Sequence, residues 1–232
     1  MKNTNQKFIF SLIASAIVLM ALPANVAAQS GPSIRIFAMP QATMMLNADD
    51  SERGSHNYEF TMGTAFGLGG GYKFSDKAGL GLDLIYSMEG QKYTMTDTAK
   101  QTYSFQQKVN YLKIPLALTL NSNPDNRVMF AFRAGPQISL LLSSSLEDGD
   151  GDEIEIIPSE PDPYESMLIG AMMETGIDIR ILESFLLNTG FRFDYSFGNS
   201  ENEDFPGRAD DRAPTNNITA GFMLGFKYLI GN

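Results

Sequence analysis

The chain has one histidine, His56, and no cysteine. His56 follows Ser55 and stands three residues before Glu59. A hydroxyl, an imidazole and a carboxylate are the parts that acyl transfer uses as nucleophile, base and orienting group. At the rim of a small barrel, that set would suit a lipid-modifying enzyme. Residues this common also meet by chance, and the chain has no Gly-x-Ser-x-Gly elbow. The expectation is therefore no catalytic residue and no enzyme.

A second constellation is Asp148, Asp150 and Asp152, separated by Gly149 and Gly151. It matches the first five positions of a calcium loop. Glu153 then stands where an EF-hand has Gly, and Ser159 where it has the closing Glu. The run is a weak candidate for Ca²⁺ or Mg²⁺, alone or bridging to lipopolysaccharide. Its plain reading is a solvated acidic loop, and no resident cofactor is expected.

The third constellation lies within segments that alternate apolar and mixed residues. Arg35, Asp83, Glu89, Lys113, Arg133, Glu174, Asp178, Arg180, Arg192, Asp194 and Lys227 all fall on the mixed face. Six are basic and five acidic. An unpaired buried charge is very costly, so near-balance suits a closed interior in which these groups pair.

These residues need elements to hold them. In Tyr111–Leu120, Leu112, Ile114, Leu116, Leu118 and Leu120 recur at a period of two, which marks a strand with one apolar face. The same period predicts strands over Ser33–Leu46, Tyr58–Tyr72, Ala78–Tyr93, Arg127–Leu142, Glu165–Ile181, Phe185–Phe197 and Thr215–Ile230. Polar loops are expected at Asn47–Asn57, up to about Gln106, at Ser143–Tyr164 and at Gly198–Pro214. Short turns are expected at Phe74–Lys77, Asn121–Asn126 and Leu182–Ser184.

Eight strands, each longer than the ~9–11 residues that cross a bilayer at a tilt, with connections alternating long and short, predict an all-β fold. It is an eight-stranded antiparallel transmembrane barrel, with short periplasmic turns and long outer loops. Such a barrel is only just wide enough for side chains to fill, so a plugged lumen is expected. Glycines on the mixed face, such as Gly67, Gly69 and Gly71, would leave room for bulky groups from across it.

Residues 1–28 are set apart. Lys2 and Lys7 precede an apolar run, Phe8–Leu22, and Val26-Ala27-Ala28 offers a cleavage site. This is the pattern of a secretory signal peptide, leaving a barrel domain at 29–232. The whole chain has 17 basic and 27 acidic residues and a net charge of −10. Without Lys2 and Lys7 the charge becomes −10 − 2 = −12, a balance that argues against a nucleic-acid partner.

The Tyr111-Leu-x-Ile-Pro-Leu116 core, the segment Arg133-Ala134-Gly135-Pro136 and the spacing Gly221-x-x-x-Gly225-Phe226-x-Tyr228 resemble the PorT-like family of outer-membrane β-barrel proteins of Gram-negative bacteria. The resemblance covers nearly all of the mature chain. It implies an eight-stranded barrel in the cell outer membrane, and one named member belongs to a protein-secretion apparatus. The chain ends Leu229-Ile230-Gly231-Asn232, without the final aromatic residue that barrel-assembly machinery often reads. Phe226 and Tyr228 are expected to serve instead.

The resulting expectation is a non-catalytic barrel in contact with outer-membrane lipid, displaying acidic loops to a protein or surface ligand. A secretion-apparatus component, a lipid-modifying enzyme and a soluble periplasmic barrel carrying an apolar ligand are the alternatives.

Overall fold

The computed structural model describes residues 31–52, 56–96, 102–122, 125–154, 161–206 and 208–231. The expected signal peptide lies outside them. The elements are β1 (Gly31–Leu46), α1 (Ala48–Glu52), β2 (His56–Glu59), β3 (Thr61–Lys73), β4 (Ala78–Thr96), β5 (Thr102–Asn121), β6 (Val128–Asp148), β7 (Glu153–Ile154), β8 (Met167–Leu182), β9 (Phe185–Ser196) and β10 (Asn216–Leu229).

Neighbouring strands pair antiparallel in chain order, and β1 also pairs β10 from Ser33↔Leu229 to Leu46↔Asn216. The sheet is thereby closed. β2 and β3 form one wall strand interrupted at Phe60, and β7 is a two-residue arm hydrogen-bonded to β6. Eight wall strands result.

The period of two sorts the side chains inside out. Ile36, Leu68, Ile169 and Phe191 on the outer face are 56%, 57%, 58% and 65% exposed, whereas Arg35, Asp83 and Arg192 inside are 6%, 1% and 2% exposed. In water this arrangement would leave a continuous apolar band uncovered. In a bilayer, the band meets lipid and the closed sheet leaves no backbone edge unpaired.

The small residues of β3 and β4 are explained by what lies opposite. A Cβ on Gly69 would stand 1.9 Å from Oδ1 of Asp83, and one on Gly81 would stand 2.6 Å from Nη2 of Arg133. These glycines are the space that the lumen charges occupy.

Three of the differences from the sequence reading have a physical lesson. β5 begins at Thr102, four residues before the end of the expected loop, and β6 runs on to Asp148. The Phe105↔Asp148 to Asn110↔Ser143 ladder continues past the apolar band, with a bulge between Asn110 and Tyr111. Beyond the lipid both faces of a strand meet polar surroundings, so the alternation that marks it is lost. The loop after Leu46 contains α1, which starts where Asn47 Oδ1 accepts the Asp49 N–H at 2.9 Å, an N-cap contact.

The longest lapse in the wall lies between β3 and β4. The β3–β4 ladder runs from Lys73↔Gly79 to Ala65↔Ser87, and pairing resumes only at Glu59↔Lys92. Lumen side chains cover the interval. Gln41 Nε2 donates to the Met88 carbonyl at 2.9 Å, and Thr43 Oγ1 donates to the Gly90 carbonyl at 2.9 Å. Gln91 donates to the Glu59 carbonyl at 2.9 Å and accepts the Met45 N–H at 3.0 Å. Side chains here supply hydrogen bonds that the backbone supplies elsewhere.

Candidate functional site

Among the described residues, the lumen is where the strands bring many charged groups together. At its centre, Arg35 donates to Asp83 (Nη2 to Oδ2, 2.7 Å; Nε to Oδ1, 3.1 Å) and to Glu174 (Nη1 to Oε1, 2.8 Å; Nη2 to Oε2, 3.0 Å). Its guanidinium carbon also lies 4.6 Å from the centre of the Phe37 ring, a cation–π distance. Arg133 approaches the same two acids at 3.0 and 3.3 Å. Arg192 lies 3.8 Å from Glu174, donates to Asp194 at 2.9 Å and reaches Gln137 Oε1 at 2.7 Å. Lys113 links Asp194 at 3.1 Å to Glu89 at 2.6 Å.

These eight residues make one continuous cluster of four cations and four carboxylates. Its members come from β1, β4, β5, β6, β8 and β9, so the pairing spans the barrel. Lys227 and Asp178 form a separate pair nearer the short turns, and Asn188 also donates to Asp178. Arg180 is half-buried at the short-turn mouth, where it lines a cavity. A carboxylate committed to two cations is a poor general base, so the cluster is suited to holding strands and filling space.

Above the cluster, the gap lined by Glu89, Tyr111, Lys113, Gln137, Asp194 and Asn217 is about 10 Å³, room for no more than about one water. An apolar layer follows, in which Met45, Val109, Tyr111, Tyr164 and Leu168 are buried together. Burial holds the Tyr164 hydroxyl well above its ordinary pKa.

The long connections fold over this layer. Arg212 donates to Asp50 at 2.9 and 2.8 Å and to Glu201 at 2.6 and 2.7 Å. The Ala213 N–H donates to Asp49 at 2.7 Å, and Asn202 donates to the Asp162 carbonyl at 2.8 Å. The hydrogen bonds to Glu201 and Asp50 raise the Arg212 pKa above its ordinary value, fixing its charge at any physiological pH.

The remaining constellations are placed as follows. His56 joins the wall through its backbone opposite Met95. Ser55 lies outside the described residues, and the Glu59 carboxylate faces Lys92 at 3.8 Å. In the acidic run, Asp148 Oδ1 accepts the N–H groups of Asp150 at 3.0 Å and Asp152 at 2.9 Å. That carboxylate is turned onto its own loop, as in an Asx turn. Asp150 and Asp152 are exposed.

Several residues escaped the sequence reading. Lys73 and Asn121 line the short-turn mouth, each one step beyond the strand end assigned from the pattern. Extending the period of two by one residue, from Gly71 to Lys73 and from Thr119 to Asn121, finds them both. Arg212 and Glu201 belong to loops and Asp50 to the five-residue helix α1, where no strand period exists.

A closed antiparallel sheet with charges inside and aliphatics outside around its whole girth is the observation that decides the class. The family model of the outer membrane protein beta-barrel domain matches residues 28–230. The chain belongs to this family. As a member it is an outer-membrane protein. Similar solved structures include Neisserial surface protein A, at 13% identity over 86% of this chain and 99% of that one, with a TM-score of 0.46. OprG from Pseudomonas aeruginosa is 15% identical over 86% and 96%, with a TM-score of 0.44. Outer membrane protein W of E. coli is 14% identical over 88% and 100%, with a TM-score of 0.42. No curated protein matches the sequence.

Proposed function

We propose that this outer-membrane barrel is a non-catalytic surface protein whose long connections present an acidic face to a partner protein or surface ligand. The observation that carries this reading is the filled lumen. A neutral charge cluster and an apolar layer close the interior to passage, and the long connections form the face open to a large partner. That face carries the exposed acids Asp150, Asp152, Glu153, Glu203, Asp204, Asp210 and Asp211, which suits a basic partner or one bridged by Ca²⁺ or Mg²⁺. Export through a cleaved signal peptide in a Gram-negative cell, folding by barrel-assembly machinery and the finer kinship with PorT-like proteins belong to the same reading. So does the orientation, with short turns in the periplasm.

The absence of cysteine provides a clean test. The full chain is expressed with Asp210→Cys or, on a short turn, Asp125→Cys. Cells are fractionated, and gel mobility is compared before and after boiling. Intact cells are treated with a membrane-impermeant maleimide. The expected result is a membrane-borne, boiling-sensitive protein labelled at position 210 in intact cells and at position 125 only after permeabilisation. The opposite labelling pattern, or a soluble protein with no gel shift, rejects the reading.

A further inference from the structure

The short-turn mouth holds a cavity of about 60 Å³. Its charged lining residues are Arg35, Lys73, Arg133, Arg180 and Lys227 on the basic side and Asp178 on the acidic side. Asp83 and Glu174 neutralise Arg35 and Arg133 from deeper in the lumen, and Asp178 takes Lys227. Lys73 makes no ion pair with a described residue. The charges whose field it feels are Lys227 and Arg180, of its own sign, and Asp178 and Asp76, of the opposite sign. The lining therefore favours an anion.

A second, independent feature points to the same place. Asn121 also lines the cavity and is 7% exposed, yet neither its Nδ2 nor its Oδ1 has a hydrogen-bond partner among the described residues. Buried amide groups are seldom left open. This one asks its occupant for an acceptor and a donor together.

We propose that the cavity binds a phosphate group, with Lys73 supplying the positive charge and Asn121 donating to a phosphate oxygen while accepting from an adjacent hydroxyl. On the measure that gives the upper gap one water, this volume holds about four to six, room for one phosphate group. Hydrogen phosphate carries both kinds of atom, as does a glycerol phosphate lipid headgroup. Sulfate has the oxygens and lacks the hydroxyl. The site lies at the end of the barrel remote from the acidic loops, so it stands or falls apart from the display reading.

The test uses the full chain refolded in neutral detergent. It is titrated calorimetrically with sodium phosphate and, separately, sodium sulfate at constant ionic strength. Phosphate is expected to bind about tenfold more tightly than sulfate, the equivalent of one well-made hydrogen bond. Lys73→Gln should weaken phosphate at least about tenfold. Asn121→Leu, or Asn121→Ser if the first fails to fold, should bring phosphate down to the level of sulfate. The boiling-dependent gel shift should persist in each variant. Repeating the titration in nanodiscs separates the two sources. Suppression of the phosphate heat by phosphatidylglycerol but not by phosphatidylcholine assigns the site to a lipid headgroup, and equal heats in both assign it to free phosphate. Absence of phosphate heat, equal affinity for sulfate, or indifference to either substitution overturns the proposal.

Discussion

Two arginines in this barrel have the same company and different surroundings. Arg35 is held by Asp83 and Glu174, and Arg212 by Asp50 and Glu201. The first is sealed in the lumen, with all three groups on strands whose register fixes them. The second sits over the long-loop mouth, its side chain 20% exposed, with its partners on α1 and on the connection after β9. Identical chemistry should therefore have global consequences in one place and local consequences in the other.

The largest effect is expected from Glu174→Leu. It leaves Arg35 and Arg133 with half their carboxylates in a closed interior, and breaking a buried pair from one side costs about 3–5 kcal/mol. Urea unfolding in lipid vesicles should register a loss of that order. A loss below about 1 kcal/mol would mean that water reaches these groups. Arg133→Glu, which sets a third acid against Asp83 and Glu174, should likewise lower the temperature at which the folded gel band disappears.

Arg212→Met should cost less, about 1–2 kcal/mol after screening by solvent, and the loss should be confined to the cap. Amide exchange at Ala213 and Asn202 should accelerate while the gel shift of the barrel stays put. Raising the ionic strength should mimic part of this effect at the cap and leave the sealed cluster unmoved. If Arg212→Met destabilises the barrel as much as Glu174→Leu, the contrast between the two arginines collapses.

A smaller effect separates the cap from the cluster by pH. The Tyr164 phenol titrates higher in the folded chain than in the unfolded one because it is buried. Its contribution is therefore complete below about pH 10, the ordinary tyrosine value, and is lost as pH rises beyond it, since the unfolded chain ionises first. Stability measured from pH 9 to 11 should fall less steeply in Tyr164→Phe than in the parent. Equal slopes would assign the alkaline loss to other groups. The smallest effect is expected from His56→Ala, which should leave the lipid A profile and the gel shift as they were. An altered profile would revive the enzyme reading.

The same contrast governs what could be read from residues alone. The cluster was legible because a strand converts sequence parity into side: Arg35, Asp83, Lys113, Arg133 and Glu174 share a parity with the glycines and oppose the aliphatics. Parity does not say who pairs with whom. That Lys113 joins Glu89 to Asp194, or that Arg35 holds two acids at once, depends on strand stagger around the closed sheet. The cap was illegible for a further reason. Asp50, Glu201 and Arg212 meet through loop tertiary contacts, and before the fold is known they look like any solvated charges. The extensions of β5 and β6 were missed because polar surroundings on both faces erase the alternation that reveals a strand.

The contact from Arg35 to Glu174 joins residues 139 positions apart, and it also joins the closing strand β1 to the far wall. Contacts so distant along the chain wait on the closure of everything between them. The cluster should therefore be absent while the sheet is still open and complete only after β1 meets β10. Interactions that form after the rate-limiting step leave the rate of folding nearly untouched and slow the reverse reaction. The arginine at the centre of the lumen thus acts as a latch in time: it should have little influence on how quickly the chain enters the membrane and much on how long the barrel, once shut, stays shut.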